Sequence, residues 1–332
     1  MTSEKSRPLD VLAIGEALID LISEQVVSSL SDASGFRRFI GGEVTNVALN
    51  VVRLGGRAAV VACVGDDGFG RYIRHQLDLA GVGTDDLCVT AHSPTTTAIN
   101  ARQTATPDFI IYRGADAHIL SDERLLKMIK ASRVVHTSAF ALSREPARTT
   151  ILQSLEEARQ GGCLVSLDPN YHPRIWPDVA DVESVLIEAY QWVDITKPSL
   201  DDCVRLFGPG LSPMAYADRF LEWGAGVVAL TMGQQGVLFA AADGTCYRIK
   251  PGDAVVADVT GAGDAFWAGL LIGLLEGYPP HEAACLGQMV AETKIGTVGP
   301  LSQMPDRDGL YRQLEARKCE SITDLPQNWR AD

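Results

Sequence analysis

At 332 residues, 46% of them hydrophobic and 21% charged, the chain has room for one large α/β domain with an appendage, or for two domains. A formal charge of −13 and a pI near 4.9 argue against a nucleic-acid partner, which needs a basic face, and against an anionic membrane surface. Any anionic ligand therefore needs a locally electropositive site.

In chain order, the short apolar runs 11–14, 58–64, 134–136, 164–167, 193–195 and 227–231 predict strands. Between them, 45–54, 69–80, 144–160 and 213–223 carry helical periodicity, several closed by a glycine such as Gly55, Gly81 or Gly161. This alternation predicts a mostly parallel sheet covered by helices on both faces, an α/β/α sandwich. Residues 18–40 and 95–112 break it: they have strand residues and turn signals without a helical period. They are expected to pair as a small sheet flapping over a cleft, or else to extend the main sheet as edge strands.

The seven cysteines are scattered, with no C-x-x-C pair, so neither a zinc site nor a redox motif is expected. Residues 1–8 lack the apolar core of a signal peptide, and the longest apolar run, 265–275, is too short to span a bilayer. A cytoplasmic protein is the expectation.

Two glycine-rich turns carry the chemistry. Asp258-Val259-Thr260-Gly261-Ala262-Gly263-Asp264 opens onto an apolar helix. Small residues let backbone N–H groups approach an anion, and the helix start adds partial positive charge. That field is expected to keep Asp264 ionised and ready to accept a proton. With no Gly-Lys dipeptide it is not a Walker A loop, and Phe266 occupies the third small position of a dinucleotide fingerprint. The second turn, Gly41-Gly42-Glu43-Val44-Thr45-Asn46, also leads into a helix, and Asn46 offers a donor and an acceptor to a polyol.

With these two turns the chain resembles the ribokinase-like (PfkB) carbohydrate kinases. Landmarks match in order: Gly15-Glu16-Ala17-Leu18-Ile19-Asp20, Val64-Gly65-Asp66-Asp67, Asp168-Pro169-Asn170, Lys197-Pro198-Ser199 and Thr231-Met232-Gly233. The resemblance implies a single domain over 1–332, with a β lid from residues 16–42 and 93–115, and ATP-dependent phosphorylation of a sugar hydroxyl. Asp264 would be the base, and the amides around Gly261, Ala262 and Gly263 the anion hole. Asp20, Gly41, Gly42, Asn46, Arg113 and Asn170 would contact the sugar; Ser199, Thr231, Gly233, Gly236 and Gln288 would contact ATP.

Mg²⁺ would accompany ATP, organised through water by Asp202, although Ser199 stands where relatives carry Asn. Asp258 and Thr260 match a monovalent-cation position, with 296–299 as its other wall, leaving K⁺ dependence open. A homodimer through the lid is also implied. The opening Gly-Glu-x-Leu-Ile-Asp pattern favours fructokinases or 2-keto-3-deoxygluconate kinases. His172 stands where many relatives carry a carboxylate-binding Arg, which favours a neutral sugar such as fructose unless Arg174 compensates. Arg113 would bind sugar oxygens or a carboxylate, or else pair with Asp116 at the surface. A binding protein without catalysis is the alternative from another class.

Overall fold

The computed structural model describes residues 7–102, 108–177, 181–257, 259–297 and 307–330. The first strands are β1 (Leu9–Ile14), β2 (Leu18–Val26) and β3 (Phe36–Gly41), followed by α1 (Glu43–Arg53), β4 (Ala58–Gly65), α2 (Gly68–Ala80) and β5 (Leu87–Thr90). Next come β6 (Thr97–Arg102), β7 (Phe109–Tyr112), α3 (Glu123–Ala131), β8 (Ser132–Ser138), α4 (Ala147–Gln160) and β9 (Leu164–Asp168). Then α5 (Val182–Tyr190), β10 (Ile195–Thr196), α6 (Leu200–Phe207), α7 (Pro213–Trp223), β11 (Val227–Thr231), β12 (Val237–Ala241) and β13 (Cys246–Ile249). The last elements are α8 (Ala262–Leu275), α9 (Pro280–Ile295), α10 (Arg307–Ser321) and β14 (Ile322–Thr323).

Ten strands form one sheet in the order β14-β13-β12-β11-β10-β9-β8-β1-β4-β5. From β11 to β5 every pairing is parallel, and β12 to β14 add an antiparallel edge. Side chains alternate across each strand, so β1 serves two cores at once. Val11 and Ala13 pack under α1, α2, α8 and α9, whereas Leu12 and Ile14 pack under α3, α4, α5 and α7. This is why the central strands read as unbroken apolar runs. No helix among the described residues is long and apolar enough to cross a membrane.

The irregular stretches form a separate sheet, β3-β2-β6-β7, rather than edge strands of the large one. One terminal glycine differs from expectation. Gly161 is right-handed helical and Gly162, at φ +73°, takes the left-handed turn after α4. None of the six described cysteines is in a disulfide.

Candidate functional site

The polar residues of the site leave the carboxyl ends of parallel strands or the first turns of two helices. Glu16 follows β1, Ser138 ends β8, Asp168 ends β9 and Lys197 follows β10. Glu43 and Asn46 begin α1, and Asp264 lies in the first turn of α8. Open α/β sheets bind ligands at this end because the loops there are free to diverge.

The turn at 259–264 is a wall between two cavities. One, of ≈ 590 Å³, is lined by Asp20, Gly42, Asn46, Asn170, Thr260, Gly261 and Asp264 among others. The other, of ≈ 720 Å³, is lined by Thr231, Gly233, Gly236, Ala262, Gly263 and Gln288 among others. Val259 borders both. Gly261, at φ +76°, permits the left-handed entry into α8. The Ala262 N–H does not face an anion here; it donates to the Val259 carbonyl at 3.1 Å and closes the turn.

Asp264 accepts a hydrogen bond from Asn46 Nδ2 at 2.8 Å. Its charge state differs from the expectation. Burial, opposed by Asn46 and Lys197 and reinforced by Asp168 and Asp20, lifts its pKa to about 7. The helix start does not hold it ionised, because loss of water outweighs a partial charge.

Beneath Asp264 lies a buried network. Asp168 takes Lys197 Nζ at 3.0 Å, Trp267 Nε1 at 2.8 Å and the Asn170 N–H at 2.9 Å. A Cβ on Gly263 would stand 3.0 Å from Lys197 Nζ, so the ammonium sits directly under the turn. Burial opposes the charge on Lys197, but Asp168, Asp202 and Glu43 together hold its pKa above the ordinary lysine value. His136 Nε2 is 2.9 Å from Glu43 Oε1, and its Nδ1 is 2.8 Å from Ser166 Oγ. Burial pushes His136 down to about 3. Burial, with Asp168, Asp264 and Glu16 nearby, raises Glu43 far above the carboxylate range. Both shifts disfavour the charged forms of the pair. Glu16 accepts the Glu43 N–H at 2.7 Å and the Ser138 hydroxyl at 2.9 Å, and burial lifts its pKa to about 7.

At the far side of the first cavity, Asn100 Nδ2 donates to Asp20 Oδ1 at 3.0 Å. In the β2–β6 register Asn100 lies two residues along from the partner of Asp20, on the same face. Burial lifts Asp20 to about 6, against the Asn100 hydrogen bond. A Cβ at Gly41 would collide with the Asp20 carboxylate, and one at Gly42 (φ +101°) with the Glu16 carbonyl. Asn170 is held at φ +31°. Apolar walls come from Ile22, Phe109, Ile111 and Phe140.

Several expected contacts are not brought to the cavities. The side chain of Arg113 is buried, bonded to Asp116 and to Ser143 Oγ at 2.8 Å, and lies over the Phe140 ring. It pairs with Asp116 inside the protein, not at the surface, and does not line the cavity. Ser199 and Asp202 cap α6 reciprocally, the Ser199 N–H donating to Asp202 Oδ2 at 2.9 Å and the Asp202 N–H to Ser199 Oγ at 3.1 Å. Asp202 also takes the Tyr171 N–H at 3.0 Å, and neither residue is among those lining these two cavities. Gln288 lines the second cavity but donates to Glu292 at 2.9 Å. His172 lines the first cavity, edge-on to Phe109 and pushed down to about 4 by burial, with Arg205 and Arg174 adding to it. Arg174 points away, to the Phe109 carbonyl at 3.1 Å. Asp258 lies outside the described residues. Among the described residues no cluster of three or more His, Cys, Asp or Glu side chains could hold a metal ion.

Sequence reasoning missed Glu16, Glu43, Asn100, His136 and Trp267 as parts of the site, and treated Asp168 and Lys197 only as landmarks. For Glu16, Asp168 and Lys197 the local signal is a charged residue at or just past a strand's carboxyl end; Glu43 and Trp267 lie in α1 and α8, and Asn100 and His136 inside strands, with no such signal.

An acid poised near neutral pH in a glycine-containing turn with a cavity on either side fits a phosphotransferase acting on a polar small molecule. The chain belongs to the pfkB family of carbohydrate kinases, whose profile matches residues 9–307. It is a sugar kinase. It is 33% identical over 314 residues to an ATP-dependent 6-phosphofructokinase of Thermoanaerobacterium thermosaccharolyticum, covering 93% of this chain and 95% of that one. Among solved structures it resembles Halothermothrix orenii fructokinase, with a TM-score of 0.76, 36% identity and coverage of 88% and 99% of the two chains. A Pyrococcus horikoshii sugar kinase in complex with ATP aligns with a TM-score of 0.78 and 26% identity, covering 92% and 99%.

Proposed function

We propose that the protein transfers the γ-phosphoryl group of ATP to a hydroxyl of a ketohexose, fructose being the first candidate. The carrying observation is the turn at 259–264 between two cavities, with Asp264 on the side of the smaller one. The sugar lies in that cavity, its hydroxyls held by Asp20, Asn100, Asn46 and Asn170, while ATP lies in the other along Thr231, Gly233 and Gly236. Asp264 takes the proton of the attacking hydroxyl as the new oxygen–phosphorus bond forms. The bond to the β-phosphate breaks in line, and ADP leaves. Gly261 and Gly263 bring backbone and Lys197 close to the migrating group.

Mg²⁺ arrives on the nucleotide, with phosphate oxygens and water as its ligands; Asp202, committed to its capping box, is not asked to hold it. The small sheet serves as a lid over the sugar within a single domain, and its closure excludes water. The neutral His172 and the internally paired Arg113 disfavour a sugar acid. A phosphorylated ketohexose is the second reading, because Arg102 and Arg205 line the same cavity.

The test is ADP release with Mg·ATP across fructose, fructose 6-phosphate, 2-keto-3-deoxygluconate and ribose. Saturable turnover on a ketohexose is expected; turnover confined to the sugar acid or the pentose would overturn the substrate reading. Asp264 also sets a pH dependence. Only the ionised carboxylate accepts a proton, so sugar kcat/KM should fall about tenfold per unit below its pKa and level off above it. With the pKa near 7, the bend should fall near neutrality at saturating Mg·ATP. A profile flat down to about pH 5.5 would contradict a base raised by burial.

A further inference from the structure

We propose that Glu292 sets the base preference of the nucleotide cavity: it turns the Gln288 amide so that the oxygen is left to accept from an exocyclic amino group, selecting adenine over a 6-oxopurine. This rests on the reading above that ATP occupies that cavity. Gly252, Gln288 and Arg317 all donate to the Glu292 carboxylate. The Gly252 N–H reaches Oε1 at 2.6 Å, Gln288 Nε2 reaches Oε1 at 2.9 Å, and Arg317 reaches Oε2 at 2.7 Å and Oε1 at 3.3 Å. Burial works against the charge on Glu292, but the bonds from Arg317, Gln288 and Gly252 outweigh it and hold the carboxyl below its ordinary range. A carboxylate that stays ionised is acceptor-only. It cannot exchange donor and acceptor with its neighbours, so the polarity of the network is fixed.

The network joins two walls of the cavity. Gln288 and Glu292 lie one turn apart on α9, Gly252 and Ala254 come from the loop after β13, and all of them line the ≈ 720 Å³ cavity. The loop is pinned to α9 twice, by the Gly252 bond to Glu292 and by the Ala257 N–H, which donates to the Ile295 carbonyl at 2.7 Å. A Cβ on Gly252 would stand 2.8 Å from both Glu292 Oε2 and Arg317 Nη2, so the loop lies directly on the ion pair. Arg317 lines an outer groove of ≈ 470 Å³ and is not among the residues lining the nucleotide cavity. With one Nε2 hydrogen given to Glu292, the Gln288 amide still has its oxygen and a second hydrogen to offer. Adenine presents a C6 amino donor beside the N7 acceptor, the pattern that an amide meets with two bonds. A 6-oxopurine presents acceptors at both positions. To meet them the amide must turn over, which sets its oxygen against the Glu292 carboxylate. Glu292 is thus a positioning residue that acts on the base through Gln288.

The experiment compares Mg·ATP with Mg·ITP, whose base carries an oxo group at C6 in place of the amino group, and reads kcat, KM and Tm. The wild type should prefer ATP in kcat/KM by roughly 5- to 150-fold, the discrimination that a good bidentate pair gives. Glu292→Leu leaves the amide free to turn over, so the preference should all but vanish. The loss should fall on the ATP KM and not on kcat. Arg317→Met removes another partner of Glu292 but keeps the carboxylate facing Gln288, so it should lower Tm and keep the preference. A wild type that uses ATP and ITP alike would overturn the proposal. So would a folded Glu292→Leu that keeps the full preference, or an Arg317→Met that loses it as completely. If Glu292→Leu does not fold, Gln288→Leu is read instead: a lost preference supports the assignment, and a retained one overturns it. The rise in Tm that each nucleotide gives reports the same preference through binding alone. A wild type inactive on every sugar would therefore count against the kinase reading, and the Tm comparison would still decide this one.

Discussion

Asp264→Asn is expected to abolish turnover while leaving the fold and nucleotide affinity intact. The change is isosteric and keeps an oxygen for Asn46 Nδ2, which donates to Asp264 across 2.8 Å. What it removes is the only property the reaction asks of this group, a lone pair that takes a proton. General-base loss typically lowers rate by about 10²- to 10⁴-fold, so kcat should fall by that much with the ATP KM unchanged. Stability should move the other way. A carboxyl whose folded pKa is raised from 3.8 to about 7 favours the native state at low pH. That contribution is lost as pH rises through the folded value. The amide cannot ionise, so the variant should melt at or above the wild-type temperature at about pH 8, where the wild type must bury a charge. Kinetics and a melting curve on one preparation check both. A variant that retains a tenth of wild-type turnover, or loses activity only because it melts early, would remove Asp264 from the role of base.

Those two opposite signs come from the environment of Asp264, and that environment is what the sequence conceals. The turn, its glycines and the following helix are contiguous and could be read directly. Asn46 and Asp264 are 218 residues apart, Asp168 and Trp267 99, and Glu43 and His136 93. No window on the chain reports such pairings, so Asp264 could be named but its pKa was assigned from the helix start alone. The parallel strands were legible because burial on both faces makes them continuous apolar runs. Helix α9 was not, since α8 packs on one side and α10 on another and leaves no clean polar stripe to read. Glu292 was hidden with it.

At Ser199 and Asp202 a four-residue spacing carried two meanings, a capping box and a metal element. The capping box is satisfied by atoms within the spacing itself, whereas a metal element also needs an opening to the cleft. Arg113 and Asp116 were likewise legible as an i,i+3 pair, but not as a buried one, because burial depends on the chain after β7 bringing Arg113 over the distant Phe140 ring.

Lys197→Met is expected to be the most destabilising single change in the site. Lys197 and Asp168 are both buried and 3.0 Å apart, and the ammonium also opposes the upward pressure on Glu43, Asp202 and Asp264. Methionine fills the stem's volume, so the effect is electrostatic and not a cavity. Removing one partner of a buried pair typically costs about 3–5 kcal/mol, because the other charge is left without compensation. Against a total stability of roughly 5–15 kcal/mol, that is enough to move the midpoint of urea unfolding far toward water.

The loss should depend on pH. Lys197 opposes the burial that raises Asp264 and Asp202, so its loss costs more at about pH 8, where Asp264 is ionised, than at about pH 5.5, where it is protonated. Lys197→Met with Asp168→Asn should then recover much of the stability, since no buried charge is left over. The coupling between the two sites should exceed the few tenths of a kcal/mol that independent sites show. In whatever active fraction survives, the kinetic pKa should move above about 7, because the nearest cation holding Asp264 down has gone. A loss below about 1 kcal/mol, equal at both pH values, would mean that the pair is as dispensable as a surface salt bridge.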